Sequence, residues 1–212
     1  MNATPPTVYL VDDDVSFLTA TSRLLRASGF AVKTFVCASD FLAQCTADAP
    51  GCVVADLQMP GLNGLDLQSA LARTSNPMPL LFLTGHGDIG SSVRAMRGGA
   101  EDFLEKRAPM EQLLDAVSRA LARDAHEREA RARLRALRER FDALSARELE
   151  VLSHVLRGRL NKQMASDLGI TERTVKLHRT AIMAKLGVRS VATLTRLTQE
   201  AGVLIADGPT FP

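Results

Sequence analysis

Over the first 120 or so residues, short apolar runs alternate with longer stretches whose apolar positions recur at helical spacing. Five runs have the length and content of buried strands: Thr7–Val11 (TVYLV), Ala31–Phe35 (AVKTF), Cys52–Ala55 (CVVA), Leu80–Thr84 (LLFLT) and Asp102–Glu105 (DFLE). Between them the period changes. Leu18, Leu24 and Leu25 precede Gly29, which suits a left-handed helix cap, and Phe41 and Leu42 follow Ser39, read as an N-cap. Leu65, Leu67 and Leu71 follow Gly64, and Ile89, Val93 and Met96 end at Gly98–Gly99. Regular alternation of strand and helix predicts a parallel sheet covered on both faces.

From Met110 to about Leu144 the helical pattern runs on with no glycine, and Ala130, Leu134, Leu137, Phe141 and Leu144 form a seam stepping by 4, 3, 4 and 3 residues. A solvated helical linker with one stripe lying on a neighbouring domain fits this seam; so does a short self-associating coiled coil. A new unit then opens. Ser145 and Glu148 make a capping box ahead of Leu149, Val151 and Leu152. Three further helices are expected at Asn161–Leu168, Glu172–Leu186 and Val191–Ala201, divided by Gly158, Gly169 and Gly187, with Thr171 and Ser190 as N-caps. The tail 206–212 is expected to fray. The five strands fit a flavodoxin-like α/β domain of order 2-1-3-4-5, followed by an all-α domain of four helices. The expected division is 1–122 for the first domain, 123–142 for a helical linker continuing its last helix, and 143–212 for the second.

Charge separates the two halves. Residues 1–122 carry 9 basic and 13 acidic side chains, residues 123–142 carry 7 and 5, and residues 143–212 carry 10 and 6. An acidic front and a basic back point to different partners, with nucleic acid the natural one for the back. Cys37, Cys45 and Cys52 have no CxxC spacing, and four scattered histidines add no zinc pattern, so reduced thiols in or near the core are expected. The first residues, MNATPPT, lack a signal-peptide pattern, and no apolar run approaches the ~20 residues needed to span a bilayer. A cytoplasmic protein with no membrane partner is expected.

The stretch VYLVDDDVSF drives a buried strand into Asp12, Asp13 and Asp14, an arrangement that needs a cation. In the parallel-sheet reading, Asp12 and Asp13 end strand 1 and Asp56 ends the neighbouring strand 3, beside Thr84 and Lys106 at the ends of strands 4 and 5. Three carboxylates, one divalent ion and Lys106 would make a neutral site. Oxygen ligands alone select a hard ion, and Mg²⁺ with retained waters suits carboxylates that share it with a phosphate oxygen. Such an ion also lets a carboxylate attack phosphorus to form an aspartyl-phosphate.

The segments VDDD, DLQMPGLNG, FLTGHGD and FLEK resemble the receiver domain of bacterial two-component response regulators. The segment from LSARELEVL to KLGVRS resembles a LuxR-type helix-turn-helix domain, and the pairing resembles the FixJ/LuxR class of transcriptional regulators. The resemblance implies that Asp56 is the phospho-acceptor for a sensor histidine kinase. It implies Mg²⁺ held directly by Asp13 and Asp56, through water by Asp12, and by the backbone carbonyl of Gln58. Thr84 would hydrogen-bond the phosphoryl group, Lys106 would pair with it, and Phe103 would follow Thr84 as the switch aromatic. Pro60, Gly61 and Gly64 read as a turn cluster after Asp56, and Asp14 as the N-cap of the first helix. His86 reads as a loop or packing residue. One position departs from the family: Arg107 stands where proline usually follows the lysine. A trans peptide with a re-aimed loop, or a strained cis bond costing about 3–4 kcal/mol, would follow.

On the Glu172–Leu186 helix, Val175, Ile182 and Leu186 share the core-facing side, and Arg173, Lys176, Leu177 and Thr180 the opposite one. That polar stripe with one apolar member suits base edges in a major groove. Lys162, Arg179 and Lys185 flank it as candidate phosphate contacts, and His178 reads as packing. Val191, Leu194 and Leu197 suit either a dimerising helix or core packing. Two half-sites would need two copies, so a homodimer on phosphorylation or DNA binding is expected, with RNA polymerase as a further candidate partner. The leading reading is a phosphorylation-controlled transcription factor. The alternative is a transcription factor whose receiver serves as a phosphorylation-independent dimerisation or docking module. An aspartate-nucleophile phosphatase expects a DxD pattern on strand 1, which the DDD-Val-Ser spacing does not match, so no enzyme is expected.

Overall fold

The computed structural model describes residues 5–46, 48–74, 77–85 and 89–203; His86 and the 206–212 tail lie outside them. The chain forms two compact units, Met1–Arg128 and Glu129–Pro212. The first holds five parallel strands in the order β2-β1-β3-β4-β5: β1 (Thr7–Val11), β2 (Ala31–Phe35), β3 (Gly51–Asp56), β4 (Leu80–Thr84) and β5 (Asp102–Glu105). This is the expected order. β3 is one residue longer at each end than the apolar run: Gly51 pairs with Thr7, and Asp56 pairs with Leu83.

Every residue of β1, β3 and β4 is buried, which is why those runs are nearly continuous in apolar residues. Successive side chains take opposite faces. Val8, Leu10, Val54 and Leu81 pack on one side with α1 (Val15–Ala27) and the first turns of α5 (Met110–Asp142). Tyr9, Val53 and Phe82 pack on the other with α2 (Ala38–Gln44), α3 (Gly64–Ala72) and α4 (Ile89–Arg97). Cys52 is buried, Cys37 and Cys45 are half-buried, and all three thiols are free.

Two local expectations change. Ser39 lies inside α2, whose N-cap is the extended Cys37 with no side-chain cap bond. In α4, Ile89 is 85% exposed and Val93 and Met96 are also exposed, while Ser91 and Ala95 are the buried positions. Small residues let the helix backbone approach the sheet, so its larger apolar residues are displaced outward.

The second unit contains α6 (Ala146–Leu156), α7 (Asn161–Leu168), α8 (Glu172–Leu186) and α9 (Val191–Ala201), together with the end of α5. Leu137, Phe141 and Leu144 are buried among Leu152, Met164, Val175, Ile182, Leu186 and Leu194 of this unit. The end of the a/d-type seam is therefore core, as a stripe lying on a folded domain would be; Leu134 is half-buried and Ala130 exposed. The Ser145–Glu148 capping box forms as expected, with Ser145 N–H donating to Glu148 Oε2 at 2.7 Å. Gly169 and Gly187, both at positive φ, end α7 and α8.

Candidate functional site

The β1–β3 register pairs Val11 with Ala55, so the residues that follow, Asp12 and Asp56, leave the sheet side by side. Asp12 and Asp56 are both buried, Asp13 is exposed, and the three offer carboxylate oxygens lying within 4.8 Å of one another. The donor set holds neither imidazole nor thiolate and fits a hard divalent cation. Asp14 stands apart from this set. Its Oδ1 accepts from the N–H groups of Ser16 and Phe17 at 2.9 and 3.0 Å and caps α1.

Lys106 enters from the end of β5. Its backbone N–H donates to the Thr84 carbonyl at 2.8 Å, and its Nζ lies 2.6 Å from Asp12 Oδ2 and 2.8 Å from Asp56 Oδ2. Burial holds the Asp12 carboxyl above its ordinary pKa, and the neighbouring Asp56 charge adds to this; the bonds from Lys106 and from Asp14 N–H offset only part. Burial also opposes charge on Lys106, but its bonds to Asp12 and Asp56 outweigh that and hold its pKa above the ordinary lysine range. With all three carboxylates ionised, one ammonium leaves two negative charges, the number a divalent ion carries.

The remaining expected residues line the same edge. Thr84 ends β4 with 1% of its surface exposed. Phe103 is half-buried, its ring 6.1 Å from that of Phe82. Gln58 N–H donates to Asp56 Oδ1 at 3.3 Å, which brings the Gln58 backbone to the pocket. The described residues contain no cis peptide, so Lys106–Arg107 is trans. Arg107 points outward, its side chain 86% exposed and paired with Glu105 at 2.5 Å. Of the two peptide forms expected at this position the trans one is found, the form a non-proline bond prefers by about 3–4 kcal/mol. Sequence reading did not find Phe17, whose ring centroid lies 4.5 Å from Lys106 Nζ. No spacing rule connects a residue in the first turn of α1 with one after β5.

In the second unit, α8 buries Val175, Ile182 and Leu186 and exposes Arg173, Lys176, Leu177 and Thr180, the phasing expected from 100° per residue. Leu177 is 64% exposed, an apolar side chain left in water on the face opposite the core. Lys162 is exposed, and Arg179 donates to Asn161 Oδ1 at 3.1 Å, tying α8 to the start of α7. Lys185 donates to Glu148 Oε2 at 2.7 Å and to the Ala143 carbonyl at 3.1 Å, leaving one ammonium proton uncommitted among the described residues. His178 is half-buried. Leu194 is buried and Leu197 packs against the core, while Val191 is 39% exposed. A shallow cleft of about 600 Å³ lies beside the polar stripe, between Lys176, Arg179, Thr180 and Arg189. Arg189 has no motif to mark it and also escaped the sequence reading.

Residues 8–118 match the response regulator receiver domain, and residues 142–198 match the bacterial regulatory proteins of the luxR family. Nodulation protein W of Bradyrhizobium diazoefficiens is 42% identical over 201 residues, which cover 95% of this chain and 88% of that protein. The response regulator protein TodT of Pseudomonas putida is 43% identical over 192 residues, covering 91% of this chain and 85% of that one. Among solved structures, the response regulator StyR superposes with a TM-score of 0.85 at 46% identity, covering 93% of this chain and all of that one. The chain belongs to the response regulators that join a receiver domain to a LuxR-type DNA-binding domain, a family of transcriptional regulators and not of enzymes. A receiver implies a histidine kinase as partner, and the second domain implies DNA. No helix among the described residues is long and apolar enough to cross a membrane.

Proposed function

We propose that Asp56 is the phospho-acceptor of this regulator and that its phosphorylation, dependent on Mg²⁺, controls how the second unit binds DNA in the cytoplasm. The observation that carries the reading is the convergence of Asp12, Asp13 and Asp56 on one pocket whose buried pair is bridged by Lys106. An oxygen of Asp56 attacks the phosphorus of a phosphohistidine; the P–N bond breaks, its electron pair leaves with the imidazole, and an acyl phosphate remains on Asp56. Asp13 and Asp56 would hold Mg²⁺ directly, Asp12 through water, and the Gln58 carbonyl would supply a further ligand. When bound, the ion would screen charge on the transferring group. Thr84 donates its hydroxyl to the new phosphoryl oxygens, Lys106 neutralises them, and Phe103 moves with Thr84.

On this reading residues 1–122 receive the signal and 143–212 carry the output, with 123–142 as the helical link. Arg173, Lys176, Leu177 and Thr180 read bases, and Lys162, Arg179 and the free proton of Lys185 contact phosphates. Two copies meet on paired half-sites, and RNA polymerase is the downstream partner.

The test is incubation with Mg²⁺ and acetyl phosphate, followed by intact mass and size-exclusion chromatography, with Asp56→Asn as control. A labile gain of one phosphoryl group, absent from the variant and accompanied by dimerisation, is expected. A protein that takes no phosphate, or takes it with no change in size or DNA affinity, would instead have a receiver that serves as a docking module.

A further inference from the structure

Phe17 lies in the first turn of α1, fixed there because its N–H donates to the capping carboxylate of Asp14. It is half-buried and packs on the core face shared by β1, α1 and α5. Its ring faces the Lys106 ammonium at 4.5 Å, well within the range of a cation–π contact. The same ammonium sits 2.6 Å from Asp12 Oδ2 and 2.8 Å from Asp56 Oδ2. One point in space therefore satisfies two carboxylates and one aromatic face. Those carboxylates belong to the set that presents oxygens within 4.8 Å of one another for a cation.

We propose that Phe17 is a positioning residue that holds Lys106 across Asp12 and Asp56 as an internal counter-ion, in competition with the divalent cation. The inference rests on the reading of the acidic pocket as a Mg²⁺ site. An ammonium and a divalent ion held by the same carboxylates repel one another, and the repulsion grows as the dielectric falls. Loading the pocket therefore pushes Nζ away from the carboxylates it now bridges, and the position it leaves is the one over the ring. The ring contact is made in the ammonium-bound arrangement and opposes cation entry. The trans Lys106–Arg107 peptide strengthens the case, because the loop carrying Lys106 is not braced by a proline ring. Its ammonium is held by side-chain contacts, of which, among the described residues, Phe17 supplies the one outside the acid cluster.

The experiment is Mg²⁺ titration by calorimetry of the full chain, comparing wild type, Phe17→Leu, Phe17→Tyr, Lys106→Gln and the Phe17→Leu/Lys106→Gln pair. Loss of the ring face is expected to tighten Mg²⁺ binding roughly two- to fivefold, the size of a partly exposed cation–π contact. Phe17→Tyr, which keeps the ring, is expected to stay within about twofold of wild type. In the Lys106→Gln background Phe17→Leu is expected to change nothing, because the ring acts only through the ammonium. Thermal melts accompany each variant, and Phe17→Met, closer in volume, replaces the leucine variant if that one unfolds. Unchanged or weaker binding by Phe17→Leu overturns the proposal, as does a gain that persists without Lys106. If wild type binds Mg²⁺ and is phosphorylated on Asp56 while Phe17→Leu binds alike, the pocket reading stands and only this proposal falls. A wild type that binds no Mg²⁺ removes both.

Discussion

A Cβ placed on Gly64 would lie 2.5 Å from the Asp56 carbonyl oxygen and 2.8 Å from the Phe82 ring. Three residues earlier, Gly61 adopts a φ of +79° with nothing within 4 Å of the same imagined atom. The two glycines share a loop but are needed for different reasons, space at one and backbone conformation at the other. Gly64→Ala must displace either the backbone that presents Asp56 or a fully buried aromatic, and is expected to cost about 1–3 kcal/mol. It should also slow acetyl-phosphate labelling of Asp56, since the carboxylate moves with its backbone. Gly61→Ala is expected to cost about 1–2 kcal/mol through left-handed strain and to leave labelling near wild type. Urea unfolding and intact-mass labelling of both variants check this; equal labelling rates would show that the Gly64 contact does not position Asp56.

At the level of helices, Glu148 closes the N-terminus of α6 and also binds the last turn of α8 through Lys185. Lys185, followed by the Ser145 backbone N–H, holds the Glu148 carboxyl below its ordinary value of 4.5. A carboxylate depressed in the folded state contributes stability that is complete above the unfolded value and disappears as pH falls through the folded one. Lys185 is 41% exposed, so solvent screens the pair and limits it to about 1 kcal/mol. Glu148→Gln should therefore weaken the second unit by about that amount at pH 7, and the deficit should vanish as pH falls below 4.5 and the wild-type carboxyl takes up a proton. Urea midpoints measured against pH decide it: a deficit constant with pH would mean that the amide disturbs packing rather than charge. The capping box itself was legible, because Ser145 and Glu148 stand three apart ahead of an apolar run. So were the strands, the turn glycines and the phasing of α8, all of which are local in sequence. What could not be read is which neighbour an element meets. The α4 periodicity marks a stripe of Ile89, Val93 and Met96, but only the folded sheet decides that Ser91 and Ala95 turn inward instead. The acidic pocket was legible because strand ends in a parallel sheet converge by topology. Phe17 was not, because its contact with Lys106 joins two elements that no pattern pairs.

The organisation of the whole chain turns on where the output module begins. The luxR-family match starts at residue 142, but the compact unit starts at Glu129. The difference consists of the last turns of α5, and two of their side chains belong to the core of the second unit. Leu137 and Phe141 are 6% and 3% exposed and lie in the same core as Val175, Ile182 and Leu186 of the helix that presents the candidate base readers. Arg138 Nε donates to the Ala201 carbonyl at 3.2 Å, meeting the negative end of α9. A fragment starting at residue 143 would lose both large apolar side chains, each worth roughly 1.5–3 kcal/mol when buried. A unit of this size has roughly 4–13 kcal/mol in total. The loss is thus comparable with the whole stability, while a fragment of residues 129–212 keeps everything its core needs. Signalling that alters the link between the units must then act N-terminal to about Leu134, because unwinding the helix beyond it would dismantle the DNA-binding core. Thermal melts of the fragments 129–212 and 143–212 give the test. The longer one should unfold cooperatively, and the shorter one should melt far lower or show no transition. Equal melting of the two would show that α5 only leans on this core.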